Sequence, residues 1–191
     1  MSVVRGCVVL LGCLGFTDII VAQPESPDPV SFTGETPMGN AKNYYQSLVG
    51  EWHGSYSLWL RPGAPARESS INASFKSVVN GNYFLMHYSW GKEDDLQRGV
   101  FLLGGQEQAV TATWGDSFHS APNPMHCKGE LNKGDSKLVL NGNYAAGEGP
   151  DWGWRTEFTR KGPNSLLMEA FNITPDGLEG LAVRAEMERV K

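Results

Sequence analysis

Asp116-Ser117-Phe118-His119 is the segment whose residue types most invite chemistry. A carboxylate close to an imidazole can fix the ring's tautomer and raise its pKa, which is the arrangement of a general base. If a strand runs past Trp114, then Trp114 and Asp116 share a face and His119 lies just beyond it. The same residues have a plainer use in a loop, where Asp116 caps backbone amides and His119 is a solvated rim residue. His126 and Cys127 add metal-ligand types, but the spacing matches no compact zinc motif, and Pro122 and Pro124 would have to turn the chain back. Ser117 has no G-x-S-x-G surround and does not read as a nucleophile. No metal and no other cofactor is expected. Asp116 and His119 stand as the catalytic candidates if the protein is an enzyme.

A second group is built on Trp152, Trp154 and Arg155. Strand alternation puts the two Trp on one face and Arg155 on the other, with Glu157. An inward Arg155 could grip a ligand carboxylate bidentately, whereas an outward one would pair with Glu157 or Glu169. His87 lies in the aromatic run Tyr83–Trp90 and reads as a hydrogen-bonded core residue before it reads as a ligand contact. Trp59, His87, Trp114, Trp154 and Arg155 form the candidate ligand-binding set. Six Trp in one small domain supply aromatic surface for such a ligand.

The elements that must position these groups are short. Gly 23 and Pro 11 leave little room for long helices in 191 residues. One helix is expected over 41–49, where Tyr44, Tyr45, Leu48 and Val49 fall at helical spacing between a capping Asn40 and a terminating Gly50. Ten strands follow, over 51–60, 70–79, 82–90, 99–103, 108–114, 125–131, 137–144, 153–160, 165–172 and 178–190. Turn signals such as Asn80-Gly81 and Asn132-Lys133-Gly134-Asp135 separate them, and the short connections imply antiparallel neighbours. Trp52, Gly54, Tyr56, Leu58 and Leu60 share one face of the first strand, and Leu181, Val183, Ala185 and Met187 share one face of the last. Trp-Gly recurs at Trp90, Trp114 and Trp152, but the unequal spacing rules against a propeller or solenoid. The expected fold is all-β, a single up-and-down antiparallel barrel of about ten strands with a short N-terminal helix. A two-sheet sandwich is the runner-up.

Residues 1–22 read as a secretory signal, with Arg5 as the charged region, an apolar run over 6–16 and Ala22 before the cleavage point. Leu10-Leu11-Gly12-Cys13 resembles a lipobox, so attachment to a membrane is expected only if Cys13 is lipidated. Residues 23–40, with Pro24, Pro27, Pro29 and Pro37, read as a flexible lead, and 41–191 as the barrel domain. The expected location is secreted or periplasmic. Removal of the signal leaves Cys127 alone, so burial and not a disulfide stabilises the core, and Cys127 reads as a small buried hydrophobe. The net charge of −5 and the lack of any basic cluster beyond Arg160-Lys161 exclude nucleic acid as a partner.

Gly50-Glu51-Trp52 resembles the lipocalin-type Gly-x-Trp that opens the first barrel strand. The resemblance implies that Trp52 closes one barrel end and that an Arg of the last strand packs on it, Arg184 first and Arg189 second. Leu48-Val49-Gly50-Glu51-Trp52, Thr113-Trp114-Gly115-Asp116-Ser117-Phe118-His119, Pro150-Asp151-Trp152-Gly153-Trp154-Arg155 and Asn172-Ile173-Thr174-Pro175 widen the match. On these runs residues from about 43 to 190 look like the lipocalin-like proteins grouped as domain of unknown function 1579. The resemblance implies a barrel and brings no activity with it. The related haem-binding nitrobindins have an axial His near the C-terminus, and this chain has no His after His126, so that ligand does not carry over. The expected function is therefore the binding of a small apolar or aromatic molecule inside an exported barrel. The alternatives are a barrel lyase, isomerase or hydrolase that uses Asp116 and His119, and a filled barrel with a structural or interaction role.

Overall fold

The structure is a computed structural model that describes residues 40–132, 134 and 136–191. The expected signal and, apart from Asn40, the expected lead lie outside the described residues. Helix α1 spans Asn40–Leu48. The strands are β1 Gly50–Leu58, β2 Arg67–Val78, β3 Tyr83–Gly91, β4 Gln97–Gln106, β5 Ala109–Asp116, β6 Met125–Leu131, β7 Lys137–Tyr144, β8 Trp152–Gly162, β9 Ser165–Ile173 and β10 Glu179–Arg189. Each expected strand is present. The bounds of β6 and β7 coincide with expectation, while β2 begins earlier, at Arg67, and β4 runs on to Gln106.

Every strand pairs antiparallel with its chain neighbours, and β1 pairs with β10 to close the barrel. The sandwich alternative is thereby excluded. Alternation carries the fold: Trp52, Tyr56 and Leu58 of β1 are buried, as are Phe84, Met86, Tyr88 and Trp90 of β3. A register shift between Leu181 and Val183 makes β10 an exception, because it buries Ala182 and Val183 together and leaves Leu181 partly covered. Gly54 has no side chain for a physical reason: a Cβ there would lie 1.8 Å from the Glu186 carbonyl oxygen of the facing strand.

The barrel is closed at the end where β1 begins and β10 finishes. Ala41, Tyr44, Tyr45 and Leu48 of α1 are all buried against it. The Tyr44 hydroxyl donates to the Phe158 carbonyl at 2.7 Å, and the Tyr45 hydroxyl to the Gly104 carbonyl at 3.0 Å. Trp52 fills the floor and donates its indole N–H to the Leu48 carbonyl at 2.8 Å. The Arg stacked on Trp52 is Arg189, 4.3 Å from the ring centroid, and not Arg184. The reason is phase. Val183, Ala185 and Met187 point inward, so position 189 is in step with them and 184 is out of step. Arg184 stands on the outer wall with Glu186 at 2.8 Å and Glu169 at 3.5 Å. Arg189 also donates to the Ser47 and Val49 carbonyls, each at 2.6 Å, satisfying acceptors that the end of α1 leaves open. Above this floor Phe75, Phe84, Phe101, Phe158, Ile71 and Leu103 pack the lower barrel.

Candidate functional site

The opposite end of the barrel is ringed by loops, and the segment after β5 folds back into it. Asp116 is the last residue of β5 and its side chain is fully buried. One carboxylate oxygen, Oδ1, accepts the backbone N–H groups of Phe118 at 2.8 Å and His119 at 2.9 Å. This short loop motif turns the chain so that the His119 ring comes back over its own strand, with Nδ1 at 3.1 Å from the same oxygen. The other oxygen, Oδ2, accepts from the Tyr88 hydroxyl at 2.7 Å and from Trp90 Nε1 at 3.3 Å. Trp114 Nε1 in turn donates to the Tyr88 oxygen at 2.8 Å.

Gly99 makes the network possible. Tyr88 pairs with Gly99 across β3 and β4, and Gly99 pairs with Asp116 across β4 and β5. A Cβ on Gly99 would lie 2.2 Å from the Tyr88 ring, so the phenol crosses β4 only where there is no side chain. Burial by itself would push the Asp116 carboxyl up. The hydrogen bond and charge of His119, the Tyr88 hydroxyl and the His119 backbone N–H outweigh it and hold the carboxyl at about 2. Burial first, and then the Asp116 charge, push the Tyr88 hydroxyl well above its ordinary value.

Both uses foreseen for Asp116 are therefore realised at once, amide capping and pairing with the imidazole. His119 is not a solvated rim residue, because its side chain is only 14% exposed. Its ring lies 5.8, 6.0 and 5.5 Å from those of Trp90, Trp114 and Trp154, with Phe118 edge-on at 4.8 Å. Because Nδ1 faces an ionised carboxylate, it carries the proton in the neutral ring and leaves Nε2 with its lone pair. Nε2 is shielded from solvent and has no hydrogen-bond partner. A buried polar atom without a partner is costly, and this nitrogen is the one such side-chain atom among the described residues.

His119 borders a cavity of about 210 Å³ under the mouth, together with Trp59, Trp114, Met125, Tyr144 and Trp154. Trp114 and Trp154 are stacked, 5.1 Å between centroids and 16° apart in plane. Asn172 and Ala182 complete the far wall. Of the sequence candidates, Trp59, Trp114, Trp154, Asp116 and His119 thus meet at one end of the barrel. His87 and Arg155 do not. His87 is exposed on the outer wall, since β3 turns Met86 and Tyr88 inward on either side of it. Arg155 is also outside. Its Nε donates to Glu157 at 2.9 Å, its Nη1 bonds Glu179, and its guanidinium lies 4.4 Å from the Phe171 ring centroid. The anion-clamp reading of Arg155 is corrected accordingly, because β8 commits its inward positions to Trp154 and Thr156.

His126 and Cys127 point to opposite sides of β6. His126 meets Thr113 outside at 3.1 Å, while Cys127 is buried and burial pushes its thiol up to about 11. No group of three metal-ligating side chains forms among the described residues. Tyr88, Trp90, Tyr144 and Asn172 are site residues that the sequence reading missed. The inward phase of β3 was a usable signal for Tyr88 and Trp90, whereas nothing local pointed to Asn172.

A family described as "Protein of unknown function (DUF1579)" matches over residues 38–189. No curated protein matches the chain. Among solved structures, Rv2717c from M. tuberculosis is similar at 12% identity and a TM-score of 0.61, over 79% of this chain and 98% of that one. The S-type phycobiliprotein lyase CPES from Guillardia theta is similar at 15% identity and a TM-score of 0.51, over 78% of this chain and 92% of that one. At such identities the likeness is one of fold.

Proposed function

The chain belongs to the DUF1579 family, and from that premise and the open barrel end we propose that it binds a small apolar or aromatic molecule. The observation that carries the reading is the cavity under the mouth, walled by Trp59, Trp114, Trp154 and Tyr144 and edged by an unpartnered imidazole nitrogen. The packed lower barrel limits the ligand to this upper cavity. One of the similar barrels is a phycobiliprotein lyase, which supports small-molecule handling by a barrel of this shape. A second reading, a lyase, isomerase or hydrolase with His119 as general base and Asp116 as its orienting group, rests on their 3.1 Å contact. It ranks below binding because Arg155 stands outside and no Lys, Arg, Asp or Glu lines the cavity beside His119.

A titration of uncharged aromatic compounds, followed by Trp emission and melting temperature, tests the proposal. Saturable changes in both are expected. Ala182→Leu, which places a branched side chain at the cavity wall, should abolish them and leave the far-UV spectrum intact. A panel that shifts neither signal in the native protein would sink the binding reading.

We also propose export, on Arg5 and the apolar run over 6–16. N-terminal sequencing of the mature protein should begin at Gln23. A cytosolic product that keeps Met1 or Ser2 would reject it, and a lipid on Cys13 would move the protein to a membrane surface.

A further inference from the structure

We infer, resting on the reading of the open end as a binding site, that the ligand is an uncharged aromatic molecule bearing a hydroxyl or N–H donor that bonds His119 Nε2. The argument is an inventory of the polar atoms along the cavity. Trp114 Nε1 is committed to the Tyr88 oxygen at 2.8 Å. Trp154 Nε1 is committed to Thr156 Oγ1 at 2.9 Å. The Tyr144 hydroxyl donates to Asn172 Oδ1 at 2.7 Å. The rings of these three residues are thus presented to the cavity as apolar surface. What remains on offer is the His119 Nε2 acceptor, the Asn172 amide N–H donors and the indole N–H of Trp59.

In the neutral ring the hydrogen bond to Asp116 sets that role. Asp116 Oδ1 faces Nδ1 at 3.1 Å and holds the proton there, and the amide bonds from Phe118 and His119 keep the carboxylate itself in place. A ligand must therefore donate here, and a second acceptor would leave two lone pairs facing each other. Size and charge narrow the class further. His119 also borders a separate void of about 10 Å³, with Tyr56, Thr156 and Met168, which has room for about one water-sized group. An anion would also enter a poorly hydrated site that already holds the Asp116 charge and has no Lys or Arg on the cavity wall. A hydroxyl can donate to Nε2 and still accept from Asn172. A flat ring fits the aromatic walls formed by Trp59, Trp114 and Trp154.

Four probes of one shape separate the possibilities: naphthalene, 2-naphthol, 2-methoxynaphthalene and 2-naphthoate, each titrated by calorimetry and Trp emission. The inference expects 2-naphthol to bind about tenfold or more tighter than 2-methoxynaphthalene, which keeps the ring and the oxygen but has no donor. His119→Phe should erase that preference, read as the ratio of the two affinities and not as either affinity alone. Asn172→Leu, which removes a donor to the oxygen that both compounds carry, should weaken the two alike and leave their ratio unchanged. Equal binding of 2-naphthol and 2-methoxynaphthalene, or tightest binding of 2-naphthoate, would overturn the donor requirement while the aromatic site stands. If neither naphthalene nor 2-naphthol binds, the site reading fails and this inference fails with it.

Discussion

Asp116→Ala is expected to destabilise the fold by about 3–5 kcal/mol, as seen when one member of a buried charged network is removed. The carboxylate accepts from Tyr88, Trp90, two backbone amides and the His119 ring, and the truncated side chain strands all of them. A pH dependence accompanies this loss. The network holds the carboxyl at about 2 in the folded protein, below its ordinary value of 3.8, so folding favours the ionised form. That stabilisation is full at pH values above the unfolded pKa. It is lost as the pH falls through 3.8 toward 2, and the gap corresponds to about 2 kcal/mol. Denaturant unfolding at neutral pH and at successively lower pH, in the native protein and in Asp116→Asn, measures it. The two stabilities should converge by about this amount at the acid end. Parallel curves would show that the network does not depend on the charge.

Trp52→Ala should cost about 3–5 kcal/mol, the range for removal of a large buried aromatic. The indole is 1% exposed, packs edge-on to Phe75 at 6.5 Å, and carries Arg189 on its other face. Its loss opens a hole in the barrel floor and leaves the Leu48 carbonyl without its donor. Arg189→Ala should weaken the same region by about 1–3 kcal/mol, because the Ser47 carbonyl in the last turn of α1 and the Val49 carbonyl just after it lose their charged donor. Arg184→Ala serves as the comparison. Its ion pairs lie on the surface, and the change should stay within about 0.5 kcal/mol. Equilibrium urea unfolding of the three variants gives the order directly. An Arg184 effect as large as that of Arg189 would contradict the floor described above.

Much of the barrel is legible in the residues because two local signals agree. Period-two alternation runs through β1 and β3, and turn residues punctuate nearly every strand end. The bounds of β6 and β7 follow from Leu131 and Lys137 on either side of a turn-rich stretch. The candidate site is only half legible. Asp116 and His119 are close enough in sequence for their contact to be local. Tyr88 reaches Asp116 across an intervening strand, and only the register of β3, β4 and β5 reveals that Gly99 opens the way. Phase misleads at His87 for a different reason. Leu85 and Val100 put apolar residues on the outer wall too, so neither face of β3 stands out as polar. Arg189 was recoverable from the inward series Val183, Ala185 and Met187. The irregularity at Leu181 was not, because a bulge leaves no mark in composition.

The seam between β1 and β10 sets the order in which the molecule can assemble. Every other pairing joins strands consecutive in the chain, so each needs only a hairpin and a short loop to close. The seam brings Trp52 to Arg189 and Leu58 to Val183, from opposite ends of the barrel sequence. The long loop it closes carries an entropic cost that no local contact offsets, so a meander of nine hairpins accumulates before the cylinder shuts. Until that moment the first and last strands are bare edges, each able to pair with another chain. Trp52 and Arg189 meet across that seam, so the floor of the barrel and the last step of its folding are one event.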